Sequence, residues 1–145
     1  RTIVAREEWD HWSTDDTEGM AETLADSVQP LFEADLVDLV DTDHEIAPGI
    51  RMEPTPGHTP GHVSVVIESR GESAVITGDL VHHPAQFTAF DWFDVADADH
   101  ELADRTRRAF AARYADTPTL VIGTHFAGPT AGRLVRDGDV YRLDA

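Results

Sequence analysis

The chain has 145 residues, 41% of them hydrophobic, and its 28 acidic against 11 basic residues give a formal net charge of −17. It contains no cysteine, which excludes a disulfide framework and a thiolate metal site. The acidic balance argues against a nucleic-acid partner, because phosphate binding needs a basic face. The sequence has no apolar run near the roughly 20 residues of a membrane span and no secretory profile, so we expect a soluble, cytoplasmic protein.

The acidity itself has two interpretations. All of the basic residues are Arg, and Asp is abundant. Such a surface is well hydrated and self-repelling, and the same bias is typical of proteins adapted to high salt. The composition leaves both interpretations open.

The first third of the chain alternates apolar and polar stretches. Thr2–Ala5 has the β-branched pattern of a short strand, and Pro30 should end or restart any helix that reaches it. The predicted elements are a strand at Thr2–Ala5, helical turns at Arg6–Trp12, a loop at 13–19, and helices at 20–28 and 31–40.

The remainder of the chain predicts hairpins around one long helix. Turn residues separate the apolar runs, and the helix has apolar side chains at i+4 spacing. The aspartates before it (Asp94, Asp97 and Asp99) lack the pattern of a calcium loop and predict a solvated helix start. The predicted elements are strand pairs at 44–47 with 50–53, at 63–68 with 73–77, and at 133–136 with 139–143, a helix at 97–114 and a strand at 119–122. This order predicts one layered α/β or α+β domain.

Candidate metal ligands follow the predicted strands in three short motifs. These are TPGHTPGH at 55–62, TGD at 77–79 and GTH at 123–125. Neighbouring strand ends converge in a sheet, so His58, Asp79 and His125 could meet although they are distant in sequence. Imidazole and carboxylate ligands without sulfur suit Zn²⁺, Mn²⁺ or Fe²⁺, and an Asp can bridge two ions.

The ordered motifs resemble the C-terminal half of the metallo-β-lactamase superfamily. The resemblance covers about 50–143 and implies an αβ/βα sandwich with two zinc ions at one edge, with 2–47 forming a wall and a helical insertion. By resemblance, His58 completes the first metal site, Asp79 bridges and His125 serves the second site. His62 ends the first motif and is expected to be structural, hydrogen-bonded to the turn.

One family signature does not occur in the sequence. The resemblance implies an upstream H-x-H-x-D-H motif, and neither His11 nor His44 has such neighbours. We therefore expect 1–145 to be a single partial domain, the C-terminal part of a longer hydrolase, and to be inactive alone. A natural degenerate relative is the less favoured interpretation.

The segment 78–86 most resembles the lactonases and organophosphate hydrolases of the superfamily. The lactonases carry a phenolic side chain three positions after the bridging Asp, where this sequence has His82. This His could assist catalysis by donating a hydrogen bond to an oxyanion or protonating a leaving alkoxide, or it could simply lie near the surface. The aromatic residues that follow are expected to be core, with a substrate pocket as the alternative; they are Phe87, Phe90, Trp92 and Phe93.

The sequence thus predicts a metal-dependent hydrolase of a small-molecule ester, lactone, thioester or phosphotriester, with Asp79 and His82 in the catalytic machinery. A non-catalytic module for association or weak metal binding is the alternative, and a diiron redox relative is a third. Aromatics left exposed without upstream strands would favour homo-oligomers.

Overall fold

The structure, a computed structural model, describes residues 1–14, 19–92 and 94–145. The strands are β1 Thr2–Ala5, β2 Val37–Val40, β3 Glu45–Ala47, β4 Ile50–Pro54, β5 Val63–Ser69, β6 Glu72–Ile76, β7 Leu120–Ile122, β8 Ala131–Asp137 and β9 Val140–Asp144. The α-helices are α1 Arg6–Trp12, α2 Met20–Thr23, α3 Gln29–Glu33 and α4 His100–Tyr114. A π-helical turn spans Leu24–Val28, and 3₁₀ turns span Gly78–Leu80 and Pro84–Phe87.

The strands β3 to β9 form a seven-stranded sheet in sequence order. All neighbouring pairs are antiparallel except β6 and β7, which are parallel and pair Val75 with Val121. Parallel neighbours need a crossover connection, and α4 lies in that connection. Since β6 and β7 run in the same direction, the loops that follow them emerge side by side at one edge of the sheet.

The hydrophobic core lies between one face of this sheet and α4. Val75 and Val121 are fully buried on the sheet, and Phe110 and Ala111 of α4 pack within the same cluster. Phe87, from the second 3₁₀ turn, stacks on Phe110 with ring centroids 6.3 Å apart. Burying a large apolar side chain contributes about 1.5–3 kcal/mol, so this layer anchors the loops that leave β6 and β7.

The predicted helix at 31–40 is wrong over its second half. The α3 helix ends at Glu33, Asp35 turns with a φ of 54°, and β2 then runs parallel to β1. Leu36, Leu39 and Val40 fit helical spacing, whereas Val37 and Leu39 fit the alternation of a strand. The strand forms because β1 supplies backbone hydrogen bonds, reinforced by Arg1, whose guanidinium donates to the Asp38 carboxylate at 2.7 Å.

Smaller differences concern helix boundaries. Pro30 restarts the helix within the first turn of α3. The α4 helix begins at His100, not at residue 97, because the Asp99 side chain accepts a hydrogen bond from the backbone N–H of Leu102 and caps it. The predicted loop at 13–19 lies partly outside the described residues. The layered α/β architecture itself is confirmed.

No helix of the described residues is long and apolar enough to cross a membrane.

Candidate metal centre

The predicted ligands lie together at the edge where β6 and β7 end. Asp79 Oδ1 is 2.7 Å from His125 Nε2, and Asp79 Oδ2 is 3.7 Å from His58 Nε2. The His82 ring is close to both histidines, with its centroid 5.2 Å from the His58 ring centroid and 4.5 Å from the His125 ring centroid. The two carboxylate oxygens of Asp79 therefore face different histidines.

Each candidate ligand is carried by a loop that directly follows a strand. His58 lies between β4 and β5, Asp79 in the 3₁₀ turn after β6, and His125 after β7. Gly78 adopts a φ of 56° in the turn before Asp79, a conformation that favours glycine. A Cβ at this position would also lie only 2.7 Å from His62 Nε2. The close approach of the backbone to His62 thus requires glycine.

His62 is a connector within the site, as the sequence predicted. Its Nδ1–H donates to the Thr55 carbonyl at 3.0 Å, and its Nε2 accepts from the backbone N–H of Asp79 at 2.8 Å. Burial lowers the pKa of His62 although the bond to Thr55 opposes this, so the ring is neutral and can accept. With both nitrogens engaged, His62 is not available as a ligand.

The Asp79 carboxyl is partly exposed and ionised. Burial raises its pKa, but the hydrogen bond from His125 and the charges of His58 and His125 outweigh burial, so the pKa lies below its usual range. An ionised carboxylate can accept from both sides, and it can also bind a cation through either oxygen.

His82 has an unpaired nitrogen. Its Nδ1 lies 3.0 Å from Asp94 Oδ2 without forming a hydrogen bond to it, and this buried atom has no hydrogen-bond partner among the described residues. Burial lowers the pKa of His82, with Asp94 opposing and the nearby His125 reinforcing the shift. The neutral ring is therefore favoured, with a nitrogen lone pair or N–H left for an outside group.

The sequence prediction of a solvated Asp97 is wrong. Its side chain is 0% exposed and lies 3.3 Å from His58 Nδ1, and both of its oxygens accept from the guanidinium of Arg107 at 2.8 Å. Burial raises the pKa of Asp97, but the hydrogen bonds and charge of Arg107 outweigh burial and hold the pKa below its usual range. The signal for this pair was Arg107 itself, which stands in the apolar stripe of α4 between Ala103 and Phe110.

The aromatic residues after His82 divide between core and surface. Phe87 and Phe90 are buried, as expected. Trp92 does not follow the core prediction, because 62% of it is exposed. The loop turns outward there, ahead of the buried Asp97. Phe93 lies outside the described residues.

These side chains fit a divalent metal. Single ligand atoms of His58, Asp79 and His82 lie within 4.8 Å of one another, and His125 contacts Asp79 directly. The donors are imidazole nitrogens and carboxylate oxygens, the set that Zn²⁺ takes in sites without sulfur. The Nδ1 of His82 is a further buried polar atom, with no hydrogen bond to any residue that the structure describes.

The family follows from comparison with known proteins. A family model described as the metallo-beta-lactamase superfamily matches residues 2–125. The chain therefore belongs to the metallo-β-lactamase superfamily, as the ordered motifs predicted.

Relatives with a known activity match shorter stretches. An N-acyl homoserine lactonase of a Bacillus species is 42% identical over 60 residues, which are 37% of this chain and 24% of that protein. An N-acyl homoserine lactonase of Bacillus thuringiensis is 36% identical over 66 residues, which are 45% of this chain and 26% of that protein.

Solved structures match almost the whole chain. The hydrolase AbOPH, of the beta lactamase superfamily, superposes with a TM-score of 0.86 at 25% identity, covering 99% of this chain and 54% of that one. AidC, a dizinc quorum-quenching lactonase solved with the product N-hexanoyl-L-homoserine, superposes with a TM-score of 0.81 at 21% identity. The match covers 97% of this chain and 53% of AidC, and at this identity it shows the fold alone. The chain thus spans about half the length of these structures.

Proposed function

We propose that this chain carries one side of a dinuclear zinc centre in a hydrolase that opens lactones or cleaves related small-molecule esters, thioesters or phosphotriesters. The observation that supports this best is the orientation of Asp79, whose two oxygens face His58 and His125 separately. A carboxylate turned in this way is suited to join two ions. Mn²⁺ or Fe²⁺ would fit the same donors.

The chain's own residues have distinct roles in this proposal. His58 and His125 would each hold one ion through Nε2, and Asp79 would hold both. Such ions, when bound, supply Lewis-acid activation of water and of the substrate carbonyl or phosphoryl group. His82 lies within this cluster and carries the unpartnered Nδ1, so it would donate a hydrogen bond to the oxygen that gains charge or protonate the departing alkoxide.

The lactone class is supported by the relatives that carry an activity, which are N-acyl homoserine lactonases. Their similarity is local, and so the whole substrate class of esters, thioesters and phosphotriesters stays in the proposal. The remaining metal ligands would come from outside these 145 residues, because the sequence has no H-x-H-x-D-H motif.

The same missing motif favours a second candidate, a non-catalytic module that binds metal weakly or associates with another chain. The encoded sequence before Arg1 distinguishes the two. An H-x-H-x-D-H motif there supports the hydrolase, and its absence supports the module.

The test uses the full-length encoded protein, purified with and without added Zn²⁺. Metal content would be measured by elemental analysis, and turnover with N-hexanoyl homoserine lactone, an aryl ester and a phosphotriester. We expect about two zinc ions per chain and turnover of at least one substrate. Asp79→Asn should lose both, whereas Asp91→Asn, a change on the exposed loop before α4, should lose neither.

A full-length protein that binds no metal and hydrolyses none of these substrates would overturn the proposal. Zinc binding without turnover would favour the module. The cytoplasmic location stays a prediction from the sequence and can be tested by cell fractionation.

A further inference from the structure

The buried Arg107 is unusual among the residues packed between α4 and the sheet. It is 1% exposed, and its side chain is the largest of the fully buried ones among the described residues. A buried charge is tolerated only when it is paired and hydrogen-bonded, and apolar residues of similar volume often serve a core as well. Packing alone therefore does not account for an Arg at this position.

One branch of the Arg107 network reaches His58. The guanidinium donates to both oxygens of Asp97 at 2.8 Å, and Asp97 Oδ1 lies 3.3 Å from His58 Nδ1. The backbone next to Asp97 also holds the loop that carries His58, because the N–H of Ala98 donates to the His58 carbonyl at 2.9 Å. A carboxylate at Nδ1 favours the tautomer with the proton on Nδ1, which leaves the Nε2 lone pair directed at the centre.

The other branch reaches the turn that carries Asp79. Arg107 Nε donates to the carbonyl of Leu80 at 2.7 Å, within the 3₁₀ turn Gly78–Leu80. On the opposite side, the backbone N–H of Asp79 donates to His62. The Thr124 hydroxyl also donates to the Gly78 carbonyl at 2.6 Å. The backbone is thus held on both sides of Asp79, and Arg107 provides one of these attachments.

We propose that Arg107 is a positioning residue that fixes His58 and Asp79 relative to each other, through Asp97 on one side and the Leu80 carbonyl on the other. The inference rests on the proposed metal role of His58 and Asp79. One planar guanidinium spans both loops, and its fork can bind a carboxylate and a carbonyl at once, which a Lys ammonium cannot do with the same fixed geometry.

The test compares Arg107→Lys and Asp97→Asn in the full-length encoded protein with matched changes on the exposed side of α4. Arg108 and Asp104 form an exposed pair at 3.0 Å on the same helix, so Arg108→Lys and Asp104→Asn serve as controls. Zn²⁺ affinity would be measured by competition with a chromophoric chelator. The tautomer of His58 would be read from ¹⁵N chemical shifts of the metal-free protein labelled on histidine.

We expect Arg107→Lys and Asp97→Asn to weaken zinc binding about 10- to 100-fold, as loss of groups that orient metal ligands usually does. In both, the His58 ring should show a mixture of tautomers, and the controls should match the wild type in both measurements. Folded variants with wild-type zinc affinity and an unchanged His58 tautomer would overturn the inference.

Two further readouts keep the test decisive. If Arg107→Lys does not fold, the neutral double variant Asp97→Asn with Arg107→Gln replaces it, with the same expected loss of affinity. The wild type alone also decides the Asp97 branch, because a predominant Nε2–H tautomer of His58 would contradict it. A wild type that binds no zinc but has the Nδ1–H tautomer would refute the proposed function and leave the positioning role of Arg107 standing.

Discussion

The partly buried ring of His62 accepts a hydrogen bond of 2.8 Å from the backbone N–H of Asp79. The same ring donates to the Thr55 carbonyl, so it joins the beginning of the TPGHTPGH motif to the turn that carries the carboxylate. The last residue of this motif therefore connects two loops of the candidate site.

Replacing His62 with Phe keeps a ring in this space but removes both nitrogens. The Asp79 N–H would lose its acceptor, which should lower the free energy of unfolding by about 1–3 kcal/mol. Zinc affinity should fall as well, because the Asp79 turn would be less firmly held. Chemical denaturation and chelator competition measure the two effects. His44→Phe, a change just before β3, is the control, and equal effects in both variants would contradict the role given to His62.

His82 is expected to act on the substrate and not to be essential for holding metal. In the full-length protein, His82→Gln should therefore retain bound zinc while turnover falls about 10²- to 10⁴-fold, the usual size of a lost acid–base contribution. Metal analysis with steady-state kinetics separates these outcomes. Loss of an equivalent of zinc in His82→Gln would instead make His82 a ligand, which its proximity to His58 and Asp79 would also allow.

Much of the candidate site could be predicted because each candidate ligand lies in a loop that follows a strand. Val75 and Val121 belong to regular apolar runs, and once these pair, the loops bearing Asp79 and His125 must lie side by side. The burial of Asp97 could not be predicted in this way. It depends on Arg107 from another element, and a single sequence does not reveal which carboxylate a buried guanidinium will meet.

The fold shows the same limit at β2. Val37–Val40 reads as helix or strand by spacing alone, and it becomes a strand because β1, far away in the sequence, pairs with it. Local patterns therefore identified the hairpins, whose partner strands are near in sequence, but could not decide the structure of β2, whose partner β1 is distant.

The exposed apolar residues predict self-association. Trp92 is 62% and Val95 91% exposed on the loop that precedes α4. Light scattering of the isolated 145-residue chain should show concentration-dependent association, and Trp92→Ser combined with Val95→Ser should reduce it. A wild-type chain that stays monomeric across the accessible concentrations would contradict this prediction.

Salt should stabilise the chain. A formal net charge of −17 on 145 residues produces self-repulsion in the folded state, and added salt screens it. We expect the melting temperature to rise by about 5 °C or more between about 0.05 and 1 M NaCl. Thermal unfolding followed by circular dichroism measures this rise. A flat response would exclude the high-salt adaptation that the composition left open.

Tyr114 gives the chain an alkaline limit that can be isolated experimentally. Its hydroxyl donates to the buried Glu53 carboxylate at 2.9 Å, and burial together with the nearby Glu53 raises the pKa of Tyr114 from 10.0 to about 12. A raised pKa means that the folded state retains the proton longer than the unfolded state does. The stabilisation is therefore fully present below pH 10 and is lost as the pH rises toward 12.

Few other side chains titrate between pH 10 and 12, because the sequence has no Lys and only 2 Tyr. Tyr114→Phe should cost about 1–3 kcal/mol at neutral pH, because it removes a hydrogen bond to the buried Glu53 carboxylate, which keeps Arg51 as a donor at 3.1 Å. Between pH 10 and 12 the wild type should lose about 1–2 kcal/mol that Tyr114→Phe does not lose, so the two stability curves should converge. Tyr141→Phe is the control and should keep the wild-type slope, because Tyr114 is then still present to titrate. Parallel wild-type and Tyr114→Phe curves across this range would mean that the hydroxyl ionises equally in the folded and unfolded states, which contact with a buried carboxylate does not permit.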